Sequence, residues 1–210
     1  MLIDKPLDDL FRSRSHVRVL RTLDELPEGF SVSAREIARR ADLSHPTASR
    51  ALVSLVEHGV VGVRRTPRAD LFGLQRDHVA ATMLAVVFEW ERGLREELLA
   101  FLRREIIDRT DSVAEAYLFG SAVRGAMTPK SDIDVAVLCA PAVVEKVTAT
   151  MHDVGEAVRR RFGNPLSFVV GTADLDQLGR AGRNGYRLWR QIALEGRPIL
   201  GASSRGHVRG

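Results

Sequence analysis

The sequence predicts an α/β (α+β) protein built from two parts, and two patterns support this fold class. The first is a series of three helical segments followed by a short hairpin, within roughly residues 10–76. The second is an alternation of strand and helix from about residue 112 onward, which is typical of a small mixed sheet with flanking helices. A chain of 210 residues is long enough to bury the cores that both parts require.

The composition is that of an ordinary globular protein with a slight excess of positive charge. Hydrophobic residues make up 45% and charged residues 28%, and the formal net charge is +4. Nearly all the cations are arginines, whose planar guanidinium suits phosphate. The charge therefore permits a nucleic-acid partner without requiring one.

The cysteine content and the hydropathy pattern exclude several classes of protein. The single Cys139 excludes an internal disulfide framework and a cysteine-based metal site. The most apolar stretch, residues 80–88, is far shorter than a membrane span. No basic and then apolar leader opens the sequence. We therefore expect a cytoplasmic protein that does not associate with a membrane.

Helix-start and helix-stop signals delimit the first two helices. Apolar residues at helical spacing predict a helix over 16–26, which the following Pro-Glu-Gly stops. A second helix is predicted within 31–41, with Ser33 as its N-cap and Glu36 at the third position of a capping box.

Similar signals delimit a third helix and a hairpin. Ser44 is the predicted N-cap of a helix over 44–59, and Gly59 is its predicted terminator. Residues 60–65 and 71–75 then predict a short β-hairpin around the turn Thr-Pro-Arg-Ala-Asp.

Three helices and a hairpin in this order resemble the winged helix-turn-helix of bacterial transcription regulators. The most specific stretch is SAREIARRADLSHPTASRALVSLVEHGVV, which reads as helix, tight turn, recognition helix and wing. The resemblance implies binding to double-stranded DNA. It also implies a homodimer, because such regulators usually bind DNA as dimers.

Arginines dominate the candidate DNA contacts of this domain. Residues 12–68 hold eleven arginines and six acidic residues, a net charge of +5. Arg50, near the start of the recognition helix, could bond a guanine edge or a phosphate. The candidates on the recognition helix, the preceding helix and the wing are His45, Thr47, Ser49, Arg50, Arg35, Arg39, Arg40, Arg64, Arg65 and Arg68. The alternative is a winged helix that mediates only protein contacts.

A long helical pattern over 78–109 follows the hairpin. The apolar width around 83–90 exceeds one stripe, which favours a second buried face against another domain or subunit. This is a second reason to expect a homodimer. The predicted buried stripe is Val79, Met83, Val87, Trp90, Leu94, Leu98, Phe101 and Ile106.

Two strands of the second part carry the residues that predict chemistry, in the stretch FGSAVRGAMTPKSDID at 119–134. Gly120 lets the backbone approach a ligand, and Ser121 at a helix start can offer its hydroxyl and N–H groups to phosphate. Asp132 and Asp134 share one face of a strand and are oxygen donors of the kind Mg²⁺ prefers. A nucleoside triphosphate (NTP) with Mg²⁺ (or Mn²⁺) would satisfy both groups.

This arrangement resembles the nucleotidyltransferase family of the DNA polymerase β superfamily, especially its minimal single-domain members. The family motif is GSxxRG followed by a strand that carries SDID, and both parts occur here. The resemblance implies that Asp132 and Asp134 are the catalytic and metal-binding carboxylates. It further implies a nucleotide site formed by Gly120, Ser121, Arg124 and Ser131. Arg124 has a second interpretation, in which it pairs with a carboxylate to fix the loop.

The family also uses a third carboxylate on a later strand, between hydrophobic residues. The matching strand here is predicted over 165–171, and Ser167 stands where that acid belongs. Asp174 and Asp176 lie beyond the strand, and neither fits the expected register. A neutral serine is poorly suited to hold a second metal and to activate the attacking hydroxyl. We therefore expect nucleotide binding to be better preserved than catalysis.

These patterns give a division of the chain and two rival functions. One is a DNA-binding regulator whose second domain binds Mg²⁺–NTP; the other is an active nucleotidyltransferase that modifies a protein, an RNA or a small molecule. In the second case the winged helix would serve docking or autoregulation. A scaffold with an inactive pocket is a third possibility. The expected division is 1–77 for the DNA-binding domain, 78–109 for a connecting helix, 110–202 for the nucleotidyltransferase-like domain and 203–210 for a flexible tail.

Overall fold

The computed structural model describes residues 11–172 and 186–201, apart from the side chain of Tyr186. The chain forms two compact units, one that ends at Gly93 and one that begins at Leu94. In the described part, no helix combines the length and the apolar character needed to cross a membrane. Asp174, Asp176 and the predicted tail over 203–210 lie outside the described residues, as do residues 173–178 of a closing helix that the sequence predicts over 172–178.

The first unit contains the predicted helices and hairpin, together with one strand that the sequence did not reveal. The extra strand has only two residues, and it pairs antiparallel with the second strand of the hairpin, with Val32 opposite Phe72. The three-stranded sheet has the order β1-β3-β2. The elements are α1 (Arg14–Asp24), β1 (Val32–Ser33), α2 (Ala34–Arg40), α3 (His45–Glu57), β2 (Val61–Arg65) and β3 (Asp70–Leu74).

The predicted N-caps of α2 and α3 are confirmed, but the Glu36 side chain bonds Arg39 and Arg40 instead of completing the predicted capping box. Ser33 Oγ accepts a hydrogen bond from the backbone N–H of Glu36 at 3.3 Å, and Ser44 Oγ accepts one from Thr47 at 3.4 Å. Gly59 follows α3 with a φ of 76°, the left-handed conformation that ends helices without steric cost to glycine. These local signals were sufficient because each cap involves residues at most three positions apart.

The long helix α4 (Val79–Arg109) was predicted correctly in extent, but the predicted buried stripe was wrong at Val79 and Trp90, although Met83 packs against the core. Val79 is 71% exposed and Trp90 is 59% exposed, whereas Leu84 and Phe88 are buried in the core of the first unit. Each residue turns a helix by 100°, so a stripe shifted by one position faces a different direction. Apolar residues on several faces left the phase of this helix undetermined by periodicity.

A buried carboxylate fixes the first part of α4 within the first unit. The side chain of Asp24, at the end of α1, is only 3% exposed and accepts hydrogen bonds from Arg76 and Arg92, both at 3.0 Å. Arg21 adds a bidentate pair to Glu91, with both N–O distances at 2.7 Å. Two guanidinium groups thus compensate the cost of burying the Asp24 charge.

The second unit is a four-stranded mixed sheet with helices on both faces, as predicted. The sheet has the order β6-β5-β4-β7, in which β5 and β6 are parallel and the other neighbours antiparallel. The edge strand β7 was not predicted, because its four residues carry no alternating pattern. The elements are β4 (Val113–Phe119), α5 (Ser121–Arg124), β5 (Ile133–Cys139), α6 (Val144–Phe162), β6 (Leu166–Gly171), α7 (Tyr186–Glu195) and β7 (Arg197–Leu200).

Alternation along β5 divides its side chains between the two faces of the sheet. Val135 and Val137 point to one face and join the larger core, which includes Leu102 of α4 and Met151 of α6. Ala136 and Leu138 belong to a smaller cluster that also includes Ile192 of α7. Asp134 precedes Ala136 by two residues, so it lies at one end of the face that α7 covers.

Candidate nucleotide site and DNA-binding surface

A glycine that no other residue could replace without strain begins the candidate nucleotide site. Gly120 follows the last residue of β4 and has φ 74° and ψ −146°, a conformation that is essentially confined to glycine. A Cβ atom at this position would overlap Oδ2 of Asp134. The chain therefore brings its backbone against the Asp134 carboxylate, whereas the sequence predicted a close approach to a ligand.

The helix that follows Gly120 is a single turn. Arg124 N–H donates to the Gly120 carbonyl at 3.3 Å, and Ala126 N–H donates to the Ser121 carbonyl at 3.0 Å. The half-buried Ser121 side chain makes no hydrogen bond with the described residues. What this turn offers a ligand is thus backbone N–H groups and one hydroxyl, because so short a helix has little macrodipole.

The two predicted carboxylates lie at the start of β5. Asp132 is exposed just before the strand, and Asp134 is half-buried opposite Phe119 of β4. Burial raises the pKa of the Asp134 carboxyl, the Asp132 charge raises it further, and Arg124 lowers it. A cation between the two carboxylates would relieve both the desolvation and the like-charge repulsion. Their oxygen donors fit Mg²⁺ or Mn²⁺.

Ser131, predicted as a nucleotide-binding residue, forms part of the turn that precedes the two carboxylates. Its hydroxyl accepts a hydrogen bond from Thr128 N–H at 2.9 Å and lies 3.0 Å from Thr128 Oγ1. Asn164 Nδ2 donates to the Ser131 carbonyl at 2.9 Å, which ties the loop to the start of β6. The structure thus gives Ser131 a role in the turn, a role that the motif alone did not indicate.

Ser167 lies directly beside Asp134 on the neighbouring parallel strand. The two residues are register partners in the β5–β6 pair, and Ser167 is exposed. Cross-strand partners point to the same face of a sheet. The described residues contain no group of three or more His, Cys, Asp or Glu side chains able to hold a metal ion. Within them, the site therefore offers two carboxylates and a serine.

Arg124 forms an ion pair that sequence reasoning could not identify. Its Nη1 lies 3.5 Å from Oε2 of Glu195, and the two side chains are 47% and 46% exposed. Glu195 Oε2 also accepts a hydrogen bond from Gln191 Nε2 at 3.1 Å. The possibility that Arg124 pairs with a carboxylate is thus realised in this structure, through a residue 71 positions away.

The outward face of the recognition helix α3 differs in part from the prediction. His45 and Arg50 are exposed, whereas Thr47 and Ser49 are only half-exposed. The Thr47 hydroxyl is 2.8 Å from Ser44 Oγ, so it serves the cap. Val53, three residues after Arg50, is 58% exposed on this helix. A strict count at helical spacing from Arg50 would have found it.

The arginines of α2 and the wing fall into two groups. Arg39 and Arg40 both hydrogen-bond the Glu36 carboxylate, at distances of 2.6 to 2.9 Å. These bonds, first from Arg39 and then from Arg40, lower the pKa of Glu36 to about 2. Among the predicted DNA contacts, the exposed arginines that form no ion pair with any described residue are Arg35, Arg50, Arg64, Arg65 and Arg68. This second group would not have to break an ion pair to bind phosphate, although Arg50 Nε donates a hydrogen bond to the Pro46 carbonyl at 3.3 Å.

Comparison with known families assigns both parts of the chain. Residues 12–70 match the model described as MarR family, and residues 85–173 match the model described as nucleotidyltransferase domain. The chain joins a MarR-family domain to a nucleotidyltransferase domain. The suspected winged helix-turn-helix and nucleotidyltransferase parts are thus confirmed.

Two solved structures show limited similarity to this MarR–nucleotidyltransferase chain. One is described as a toxin-antitoxin with AMP-PNP; it is 19% identical, with a TM-score of 0.36, and the match covers 50% of this chain and 73% of that chain. The other is a mutant of the toxin-antitoxin MntA-HpeT; it is 18% identical, with a TM-score of 0.35, and the match covers 51% and 73%. Comparison with curated proteins gave no match.

Proposed function

We propose that this MarR–nucleotidyltransferase chain is a DNA-binding transcriptional regulator whose second domain binds Mg²⁺–NTP and turns it over slowly or not at all. The observation that carries the proposal is the register of Asp134 with Ser167. The strand position nearest to Asp134 on β6 holds a hydroxyl where a third carboxylate would complete the family's metal site.

The donor chemistry of the site supports a single bound divalent metal. Asp132 and Asp134 would hold Mg²⁺ (or Mn²⁺), and the Gly120–Ser121 turn would receive phosphate oxygens. A bound metal of this kind neutralises and orients the triphosphate in nucleotidyl transfer. Without it, two carboxylates would face phosphates of the same sign. Nucleotide binding that depends strongly on the metal is therefore part of the proposal.

The distribution of free cations supports DNA binding by the first domain. Arg50 stands exposed on α3, where it could read a guanine edge. Arg64, Arg65 and Arg68 lie exposed in the wing, where they would contact phosphates. We assign phosphate contact to Arg35 as well, and a lesser share to Arg39 and Arg40, because Glu36 already holds them.

We also propose that the chain self-associates in the cytoplasm through the exposed apolar face of α4. Val79, Val86 and Trp90 are each more than half exposed there. A helix face of this kind is costly to leave in water, and contiguous exposed apolar surface marks interaction sites.

The rival function is an active nucleotidyltransferase, and one observation favours it. The Gly120 turn directly follows Phe119, the register partner of Asp134, so the two parts of the family motif lie at adjacent strand ends. Incubation of the protein with each labelled NTP and Mg²⁺ distinguishes the two functions. Label transferred to protein or nucleic acid would establish the enzyme, whereas binding without transfer supports the regulator.

Calorimetric titration tests the metal–nucleotide site directly. We expect micromolar to millimolar affinity with Mg²⁺, little binding with chelator, and a reduction in both Asp132→Asn and Asp134→Asn. The matched gain-of-function variant is Ser167→Asp, which should raise transfer above that of the unmodified protein. Binding that is unchanged by chelator and by Asp134→Asn would contradict the proposal.

A further inference from the structure

We propose that Glu195 sets the phosphate affinity of the nucleotide site by occupying Arg124 when no nucleotide is bound. The inference rests on the proposed nucleotide function and adds a residue outside the family motif. In this role Glu195 is an internal competitor: phosphate oxygens must displace its carboxylate to reach the Arg124 guanidinium. Glu195 therefore acts through Arg124 and is a positioning residue.

The fold fixes Glu195 close to the site. It is the last residue of α7, which is anchored by Ile192, 1% exposed, in the cluster on the Asp134 face of the sheet. The next residue but one, Arg197, begins β7 and pairs with Leu118 of β4. Elements on both sides of Glu195 are thus tied to the sheet that carries the site, and its carboxylate is held near Arg124.

The charges around Arg124 make competition the expected behaviour. Arg124 lies close enough to Asp134 to lower the pKa of that carboxyl, and it also pairs with Glu195. An arriving triphosphate brings more negative charge to the same guanidinium. Because Glu195 is 46% exposed, water can solvate its carboxylate once the pair opens. Exposed ion pairs of this kind are weak, so the exchange is readily reversible.

A direct metal-binding role for Glu195 does not fit the structure. Among the described residues, Glu195 does not join Asp132 and Asp134 in any group of three ligands that could hold a metal. Its Oε2 atom instead contacts Arg124 and accepts a hydrogen bond from Gln191. The geometry thus separates the carboxylates that face a metal from the one that faces the arginine.

The test is a double-mutant cycle read by calorimetric titration of the full chain, with Mg²⁺ and whichever of the four NTPs binds most tightly. Glu195→Gln keeps the side-chain shape and removes the charge, and we expect it to bind two- to fivefold more tightly. The upper value equals about 1 kcal/mol, the limit typical of an exposed pair. In an Arg124→Ala background the same change should give no gain.

Glu145→Gln is the matched control. Glu145 is exposed at the start of α6, which packs on the opposite face of the sheet, so its loss changes the net charge equally without affecting Arg124. We expect no change in affinity. Titration with Mg²⁺–tripolyphosphate should reproduce the pattern, since Arg124 would recognise phosphate and not the base. Glu195→Ala provides a second variant if Glu195→Gln does not fold.

Several results would overturn the inference. Weaker nucleotide binding in Glu195→Gln would show that Glu195 holds Arg124 in its binding position. An equal gain in affinity in Glu145→Gln would show that the effect comes from net charge alone. A gain that persists in the Arg124→Ala background would show direct repulsion instead of competition. Unchanged binding in Glu195→Gln would overturn this inference alone, whereas no Mg²⁺–NTP binding by any variant would overturn the proposed function too.

Discussion

Replacement of Gly120 by alanine is the sharpest test of how the candidate site is built. Two costs add at this position. Backbone strain in a conformation that other residues rarely adopt is worth about 1–3 kcal/mol. The new Cβ would also overlap Oδ2 of Asp134, and steric overpacking adds about 1–3 kcal/mol. We expect Gly120→Ala to destabilise the nucleotidyltransferase unit by about 4 kcal/mol in total.

Gly163 provides the matched control. It also has a positive φ, 81°, but a Cβ there would meet nothing within 4 Å. Gly163→Ala should therefore cost only the left-handed backbone term, about 1–2 kcal/mol. The difference between the two variants contains the crowding against Asp134 together with the additional backbone strain at Gly120, whose ψ of −146° lies outside the left-handed helical region. Adding Asp134→Ala to Gly120→Ala should recover the steric part and leave the backbone part.

Urea unfolding followed by tryptophan fluorescence measures these costs within the nucleotidyltransferase unit of the chain. The chain has two tryptophans, and Trp189 packs against the sheet of the second unit. In a Trp90→Phe background, fluorescence therefore reports only that unit. If Gly120→Ala and Gly163→Ala lower its stability by the same amount, the close approach of the backbone to Asp134 has no energetic consequence and the reasoning is refuted.

Four further predictions follow from the same structure. Asp24→Asn should destabilise the MarR-family unit by about 3 kcal/mol, because it leaves Arg76 and Arg92 without a buried charged partner. The control is Asp42→Asn, at a 94% exposed carboxylate, which should change the urea midpoint little. Equal shifts of the urea midpoint would contradict the stabilising role of the buried Asp24. Burial lowers the pKa of His16, and Arg12 and His58 lower it further. The contribution of neutral His16 to stability is therefore complete above pH 6.5 and is lost as the pH falls through the lowered pKa. Thermal unfolding between pH 5 and 7.5 checks this, and a rise in stability on acidification would exclude it. Val86→Glu and Trp90→Glu should give folded monomers by circular dichroism and sedimentation, because both positions are exposed; unfolded product would instead indicate a buried core. Arg50→Ala should weaken binding to a selected operator by about 1–3 kcal/mol and relax its specificity. Arg65→Ala should instead weaken binding to every duplex and reduce the salt dependence of binding. An equal loss of affinity for specific and random DNA in Arg50→Ala would make Arg50 a phosphate contact.

The sequence by itself determined the features that depend on neighbouring residues. Ser33, Ser44 and Gly59 marked helix ends correctly, because a cap involves only the next turn of the chain. The stretch from Gly120 to Asp134 was informative for a similar reason. It forms a tight glycine turn, the single helical turn of α5, a loop and the start of β5, so its geometry is almost entirely local.

The tertiary structure decided the features that depend on distant partners. It shifted the buried face of α4 away from Val79 and Trp90, because the packing of the whole first unit, and not the period of one helix, sets the phase. It also paired Arg39 and Arg40 with Glu36, and it left the wing arginines without an ion pair to any described residue. Which of several spaced charges form bonds depends on rotamers and distances that a sequence pattern does not contain.

The candidate site shows the same division most clearly. Asp132, Asp134 and Ser167 were visible in the sequence, but only the β5–β6 register placed Ser167 beside Asp134. Glu195 carried no signal at all, because its link to Arg124 spans the fold from α5 to the end of α7. Short-range steric and hydrogen-bonding rules fix local turns, whereas contacts between remote segments exist only once the cores have packed and brought those segments together.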